Sequence, residues 1–168
     1  MHNIKILKDK ASRDALTKLF NKGKFFDVLS HEILLCEATS SPLSIIFLDI
    51  DHFKIVNDTY GHDSGDFVLQ ELAKILQVST RKGDFIARWG GEEFVVTLQA
   101  TDLNEAKVIA EKIRVNIEKH TFAKGGSQRV SLGVTQFIPY ESQESFTKRV
   151  DEALYKAKNS GRNRVVAI

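Results

Sequence analysis

Two pairs of carboxylates stand where they could hold a hard cation. Asp49 and Asp51 mark the end of the apolar run Leu43–Ile50, and Glu92 and Glu93 follow Gly90-Gly91. Mg²⁺ takes oxygen ligands and is commonly held by one or two carboxylates plus substrate phosphates. Asp49 and Glu92 are the first candidates. A solvated acidic rim at a hairpin is the plain alternative for either pair alone. The paired glycines weigh against it, because missing side chains let a bulky ligand approach the backbone. Asp51 precedes an expected helix, so an N-cap suits it at least as well as a metal. In a regular strand Glu93 points to the face opposite Glu92. A cation that brings phosphates also needs positive partners. Lys54 lies in a helix amino-terminal turn, which suits anions. Lys158 and Arg162 flank the turn K-N-S-G-R, and taken alone they read as solvated charges. Arg88 reads as an ion-pair partner that fixes the glycine hairpin. His62 reads as a turn residue, because no second His or Cys falls at ligand spacing.

The elements that must position these groups follow from hydrophobic spacing. Phe25, Leu29, Ile33 and Cys36 recur at helical intervals over 21–39, and Ser40-Ser41-Pro42 ends that helix. Leu43–Ile50 is continuously apolar up to Asp49, as a buried central strand requires. Helices are expected over 51–58, 63–78, 104–119 and 143–158. Strands are expected over 85–88, 94–98, 130–137 and 164–168. Gly90-Gly91 signals a hairpin, since both residues tolerate positive φ. The middle of this order is the split βαβ pattern of ferredoxin-like folds. Its first and third strands are antiparallel neighbours, which brings the end of Leu43–Ile50 beside Gly90-Gly91.

The 168 residues fit one domain with a real core, at 42% hydrophobic and 27% charged residues. A net charge of +2 gives no sign of a nucleic-acid partner, which would call for a basic patch or stripe. No apolar run is long enough for a membrane span, and Met1–Lys10 lacks the apolar core of a signal peptide. The single cysteine, Cys36, allows no intrachain disulfide and reads as a helix core residue. A cytoplasmic location is expected, alone or as the cytoplasmic part of a larger or membrane-anchored protein. Residues 1–13 read as a linker or the end of a preceding helix, and 14–168 as the domain.

D-I-D-H-F-K-I-V-N-D-T-Y-G-H-D-S-G-D from Asp49 and R-W-G-G-E-E-F from Arg88 resemble the GGDEF domains of bacterial diguanylate cyclases. D-A-L-T-K-L-F-N-K, A-E-K-I-R, V-S-L-G-V and L-Y-K-A-K-N-S-G-R-N agree in order and spacing, so the resemblance runs from about Asp14 to Ile168. It implies an α+β, palm-type fold: a ferredoxin-like central antiparallel sheet flanked by helices, as in nucleotidyl cyclases. It implies condensation of two GTP into cyclic di-GMP and two pyrophosphates by a homodimer, with no direct membrane contact by the domain. The chain shows no strong dimerisation element of its own, and a domain before residue 1 is expected to supply it.

The same resemblance implies that Asp49, the Ile50 carbonyl and Glu92 bind Mg²⁺ or Mn²⁺. Glu93 then serves as a further ligand or helps deprotonate the attacking hydroxyl, and the two roles stay open. Phe53, Lys54, Gly90, Gly91, Lys158 and Arg162 would hold the substrate, the lysines and arginine on its triphosphate. Asn57 and Asp66 would read the guanine edge, where the residues alone suggest only a turn and a first-turn helix acid. Arg81 and Asp84, alone a charged turn, match the family's inhibitory product site for cyclic di-GMP. An arginine fork can grip phosphate or guanine, and a carboxylate can accept from guanine N–H groups. The alternative is a catalytically silent module that binds GTP or cyclic di-GMP. Two positions depart from the family pattern: Lys18 where Gly is frequent, and Lys22 where Arg is frequent. The signature's third residue is Glu, a common active form.

Overall fold

The computed structural model describes residues 11–168. The signal-peptide reading of Met1–Lys10 and most of the expected linker lie outside them. β1 (Leu43–Ile50) is the centre of a five-stranded sheet ordered β2-β3-β1-β6-β7, with β2 (Phe85–Arg88), β3 (Glu93–Gln99), β6 (Val130–Gln136) and β7 (Val165–Ala167). All neighbours are antiparallel except β6 and β7. Helices α1 (Lys22–Thr39) and α5 (Gln143–Asn159) cover one face. Helices α3 (Ser64–Ser79) and α4 (Leu103–Lys119) cover the other, and short α2 (Lys54–Tyr60) sits at the end of β1.

Burial on both faces explains the unbroken apolar run of β1. Leu43, Ile45 and Phe47 meet Phe25 and Leu29 of α1 and Phe146, Val150 and Leu154 of α5. Ile46, Leu48 and Ile50 meet Val68 and Leu72 of α3 and Ala110 and Ile113 of α4. Asp49 extends the odd-numbered row, so it faces α5. Gly133 of β6 lets α5 ride directly on the sheet, because a Cβ there would run into the backbone of Val150 and Leu154. That contact fixes the height of the far end of α5, where Lys158 lies. Cys36 is half-buried against the α1 side of the core, in keeping with its helical register.

Two expectations need correction. The helix after β1 begins at Lys54 instead of Asp51, because a turn with His52 at φ 56° intervenes. A small hairpin of β4 (Thr121–Phe122) and β5 (Gly126–Ser127) follows α4 and had no counterpart in the pattern. Two-residue strands are too short to show a period. The departures at the amino terminus are also accommodated. Lys18 takes the left-handed φ of 63° that glycine would adopt freely, and its Nζ donates to the Ala15 carbonyl at 2.6 Å. Lys22 places Nζ 4.2 Å from the centre of the Trp89 ring.

Candidate active site

The β1–β3 register sets Asp49 directly opposite Glu93, and the Ile50 N–H donates to the Glu92 carbonyl at 3.4 Å. The end of β1 and the signature hairpin therefore meet as the topology required. Lys158 reaches in from α5, and its Nζ donates to Asp49 Oδ2 at 2.6 Å across 109 positions of sequence. Asp49 is only 7% exposed. Burial pushes its carboxyl up to about 6, against the pull of the Lys158 ammonium, and the charges of Glu92 and Glu93 push it further the same way. Desolvation thus outweighs the one ammonium beside it. Among the described residues no three His, Cys, Asp or Glu side chains converge closely enough to enclose a metal. The donor chemistry still fits a hard cation: three carboxylates at one strand end, with a single lysine neutralising the most buried of them.

The hairpin is held differently from the glycine argument. Neither Gly90 nor Gly91 adopts a positive φ. The Trp89 N–H donates to the Glu93 carbonyl at 2.8 Å, and Arg88 donates to the Gly91 carbonyl from Nη2 at 2.7 Å and from Nε at 3.1 Å. Arg88 also pairs with Asp14 at 3.1 Å, which is the ion pair expected of it. Burial pulls the Asp14 carboxyl upward, but the Thr17 N–H and hydroxyl and Arg88 outweigh it and hold it below the usual carboxylate range. Beneath the hairpin Trp89 packs on Phe25, Phe26 and Phe47, with ring centres 4.9–5.4 Å apart. The glycines' use is openness: a Cβ on Gly91 would meet nothing within 4 Å.

The remaining candidates divide. Lys54 is exposed at the start of α2, and Phe53 is half-buried at its cap position. Asn57 Oδ1 accepts from the Gly65 N–H at 2.7 Å, which ties α2 to α3 and leaves its amide nitrogen available to donate. Gly65 has to be small here, since a Cβ would crowd Asn57 and Phe53. Asp66 is exposed one residue further on, in the first turn of α3. Arg162 is exposed in the turn after α5, on the wall of a cavity of about 420 Å³ shared with His52, Ile55 and Arg129. Asp51 caps no helix: its carboxylate accepts from Ser131 Oγ at 2.7 Å and from the Asn163 N–H at 2.9 Å. Nothing in the local sequence signalled those two partners.

Arg81 and Asp84 stand apart from this cluster, on the turn between α3 and β2. Asp84 Oδ2 accepts from the Arg81 N–H at 2.8 Å, and the Asp84 N–H donates to the Arg81 carbonyl at 3.0 Å. Burial raises the Asp84 carboxyl above its usual value, opposed by the Arg81 N–H and guanidinium. The turn borders a cavity of about 260 Å³ that Arg13, Phe20, Thr80 and Ile86 also line.

The sheet with helices on both faces, and with carboxylates, a lysine and an open glycine hairpin gathered at one end, defines an α+β domain of the palm type. The profile described as "Diguanylate cyclase, GGDEF domain" matches residues 11–164, and the chain belongs to this GGDEF family. It is 44% identical over 161 residues to the diguanylate cyclase DgcM of Escherichia coli K12, covering 96% of this chain and 39% of that protein. It thus spans about two-fifths of that relative's length. Among solved structures, the coiled coil and GGDEF domain of DgcB from Caulobacter crescentus, in complex with c-di-GMP, superposes with a TM-score of 0.92. The two are 33% identical, with 99% of this chain and 91% of that one covered. The active GGEEF domain of a diguanylate cyclase from Vibrio cholerae gives a TM-score of 0.83 at 36% identity, covering 88% of this chain and 96% of that one. Among the described residues no helix is long and apolar enough to cross a membrane.

Proposed function

We propose that this domain is a diguanylate cyclase that condenses two GTP into cyclic di-GMP and two pyrophosphates. The observation that carries the reading is the meeting of Asp49, Glu93 and Lys158 beside the open glycine hairpin, in a chain of the GGDEF family. The 3′-hydroxyl oxygen of one GTP forms a bond to the α-phosphorus of the other. The bond from that phosphorus to the bridging oxygen breaks in line, and pyrophosphate leaves. Asp49, the Ile50 carbonyl and Glu92 would hold a divalent cation, Mg²⁺ or Mn²⁺, which when bound would supply charge neutralisation and acidify the hydroxyl. Glu93 takes up the released proton or completes the cation's ligands. Lys54, Lys158 and Arg162 bind the triphosphate, with the backbone at Phe53, Gly90 and Gly91 close to it. Lys158 then exchanges its bond to Asp49 for phosphate oxygens.

Asp66 accepts from the guanine N1–H and exocyclic amine, and the free amide of Asn57 donates to the base. A site built on such bonds rejects bases that leave its groups unpaired. One domain holds one GTP, so two copies must face each other, and holding both substrates in place supplies much of the rate. Cyclic di-GMP bound at Arg81 and Asp84 holds the copies in an unproductive arrangement. The amino-terminal residues to 13 serve as the connection to a partner domain, and the domain works in the cytoplasm. The test is the rate of product formation from GTP and Mg²⁺ over a range of protein concentrations. A rate rising faster than linearly with protein is expected. GTP binding without product, even from copies forced together, would assign a silent binding module instead.

A further inference from the structure

The turn that carries Arg162 has the least relaxed backbone near the site. Gly161, Arg162 and Asn163 follow one another at φ 122°, 60° and 43°. Residues with a Cβ visit this region singly and at a cost, so two in succession persist only where their surroundings fix them. Asn163 is where they are fixed. Its backbone N–H donates to Asp51 Oδ2, its Nδ2 donates to Glu118 Oε1, and its Oδ1 accepts from Arg114 Nη1, each at 2.9 Å. Arg114 is itself clamped. It donates from Nη2 to Glu111 Oε1 at 2.7 Å and from Nη1 to Glu118 Oε2 at 2.7 Å. The hydrogen bonds to Glu111, and then those to Glu118, hold the guanidinium more firmly protonated than a free one. Beyond Asn163 the chain of bonds continues through Asp51 to Ser131 on β6.

This network joins the outer side of α4 to the end of β1, and the turn hangs between them. Arg162 gives it only backbone: its N–H donates to the Ala157 carbonyl and its own carbonyl accepts from Arg164 Nε, both at 3.1 Å. Its side chain is left exposed at the wall of the cavity, which Asp51 and His52, just past the end of β1, also line.

We propose that Arg114 and Asn163 are positioning residues for the nucleotide's triphosphate, holding the left-handed turn so that Arg162 faces the β1 end. The inference rests on the reading of Arg162 as a phosphate ligand. The test is calorimetric titration with Mg²⁺ and the GTP analogue bearing a methylene bridge between the α- and β-phosphates, with GMP as the ligand lacking the outer phosphates. Asn163→Gly keeps the left-handed backbone but removes the side-chain bonds. Arg114→Lys keeps a charge between Glu111 and Glu118 but loses the fork that reaches Asn163. Each, like Arg162→Ala, is expected to weaken the analogue roughly tenfold and GMP less than about twofold. In the double variant with Arg162→Ala, Asn163→Gly should add almost nothing, because residues acting as one unit are not additive.

If Arg162→Ala leaves the analogue's affinity unchanged, the phosphate reading of Arg162 falls and takes the proposal with it. If Arg162→Ala weakens binding while Asn163→Gly and Arg114→Lys do not, the ligand stands and the positioning role is wrong. Losses that multiply in the double variant, or equal losses for GMP and the analogue, would likewise reduce the network to general support of the fold.

Discussion

The Asp49–Lys158 pair and the Arg81–Asp84 turn each join a carboxylate to a basic residue, yet they are built in opposite ways. The first pair is 109 positions apart and exists only because β1, β3 and α5 pack together. The second closes within three residues through its own backbone, and Arg81 stays exposed. Burial raises both carboxyls, but only Asp49 is carried as far as about 6. A site made by the core holds its charge at the expense of the fold, and function and stability should trade against each other there. A site made by a local turn can be altered with little effect on the rest.

The sharpest break in this comparison is loss of turnover. Asp49→Ala or Glu92→Ala should lower cyclic di-GMP formation by at least on the order of 10²-fold, with the far-ultraviolet dichroism unchanged. Near-normal product formation in either variant would remove it from the site. The next effect is on stability without metal. The folded Asp49 carboxyl titrates near 6 and the unfolded one near 3.8, so between these values the folded state binds more protons. Stability therefore falls as pH rises through that window, and the penalty is complete above about pH 6. Asp49→Asn removes it, and at pH 7.5 in a chelator should raise stability by up to about 3 kcal/mol. The gain should vanish below about pH 4. Thermal melts of both proteins across that range measure it, and a gain that did not change with pH would mean that burial of the charge is not the cause. The smallest effect belongs to the local turn. Arg81→Ala should keep initial rates and melting temperature, while roughly tenfold more cyclic di-GMP is needed to inhibit. Equal product affinity by calorimetry in both proteins would exclude Arg81 from that role.

The same contrast governs what the sequence made legible. β1 could be read residue for residue, because a strand buried on both faces shows as one apolar run. The inward row of α1 was equally plain, with Phe25 and Leu29 buried and Ile33 and Cys36 packed against them. Features whose cause lies far away in the chain were not. Asp51 looked like a helix cap, but Ser131 and Asn163 claim it, and no local pattern marks either. Lys158 alone looked like a solvated charge, the family resemblance put it on the triphosphate, and its bond to Asp49 came only with the packing of α5 on β1. Gly90-Gly91 announced a hairpin for a reason the backbone does not use, since Arg88 and Trp89 hold the turn with both glycines at ordinary φ. The Arg114–Asn163 bonds bring together two motifs quoted separately, A-E-K-I-R and S-G-R-N, whose joint purpose appears only when α4 and the turn after α5 meet at the end of the sheet.

The most direct test of the central claim is mass identification of the products formed from GTP and Mg²⁺ by the wild-type domain at high concentration, with Asp49→Ala run alongside. The account predicts cyclic di-GMP and pyrophosphate in a ratio of one to two from the wild type and neither from the variant. Bound but unconverted GTP in the wild type, or the same products from Asp49→Ala, would contradict it.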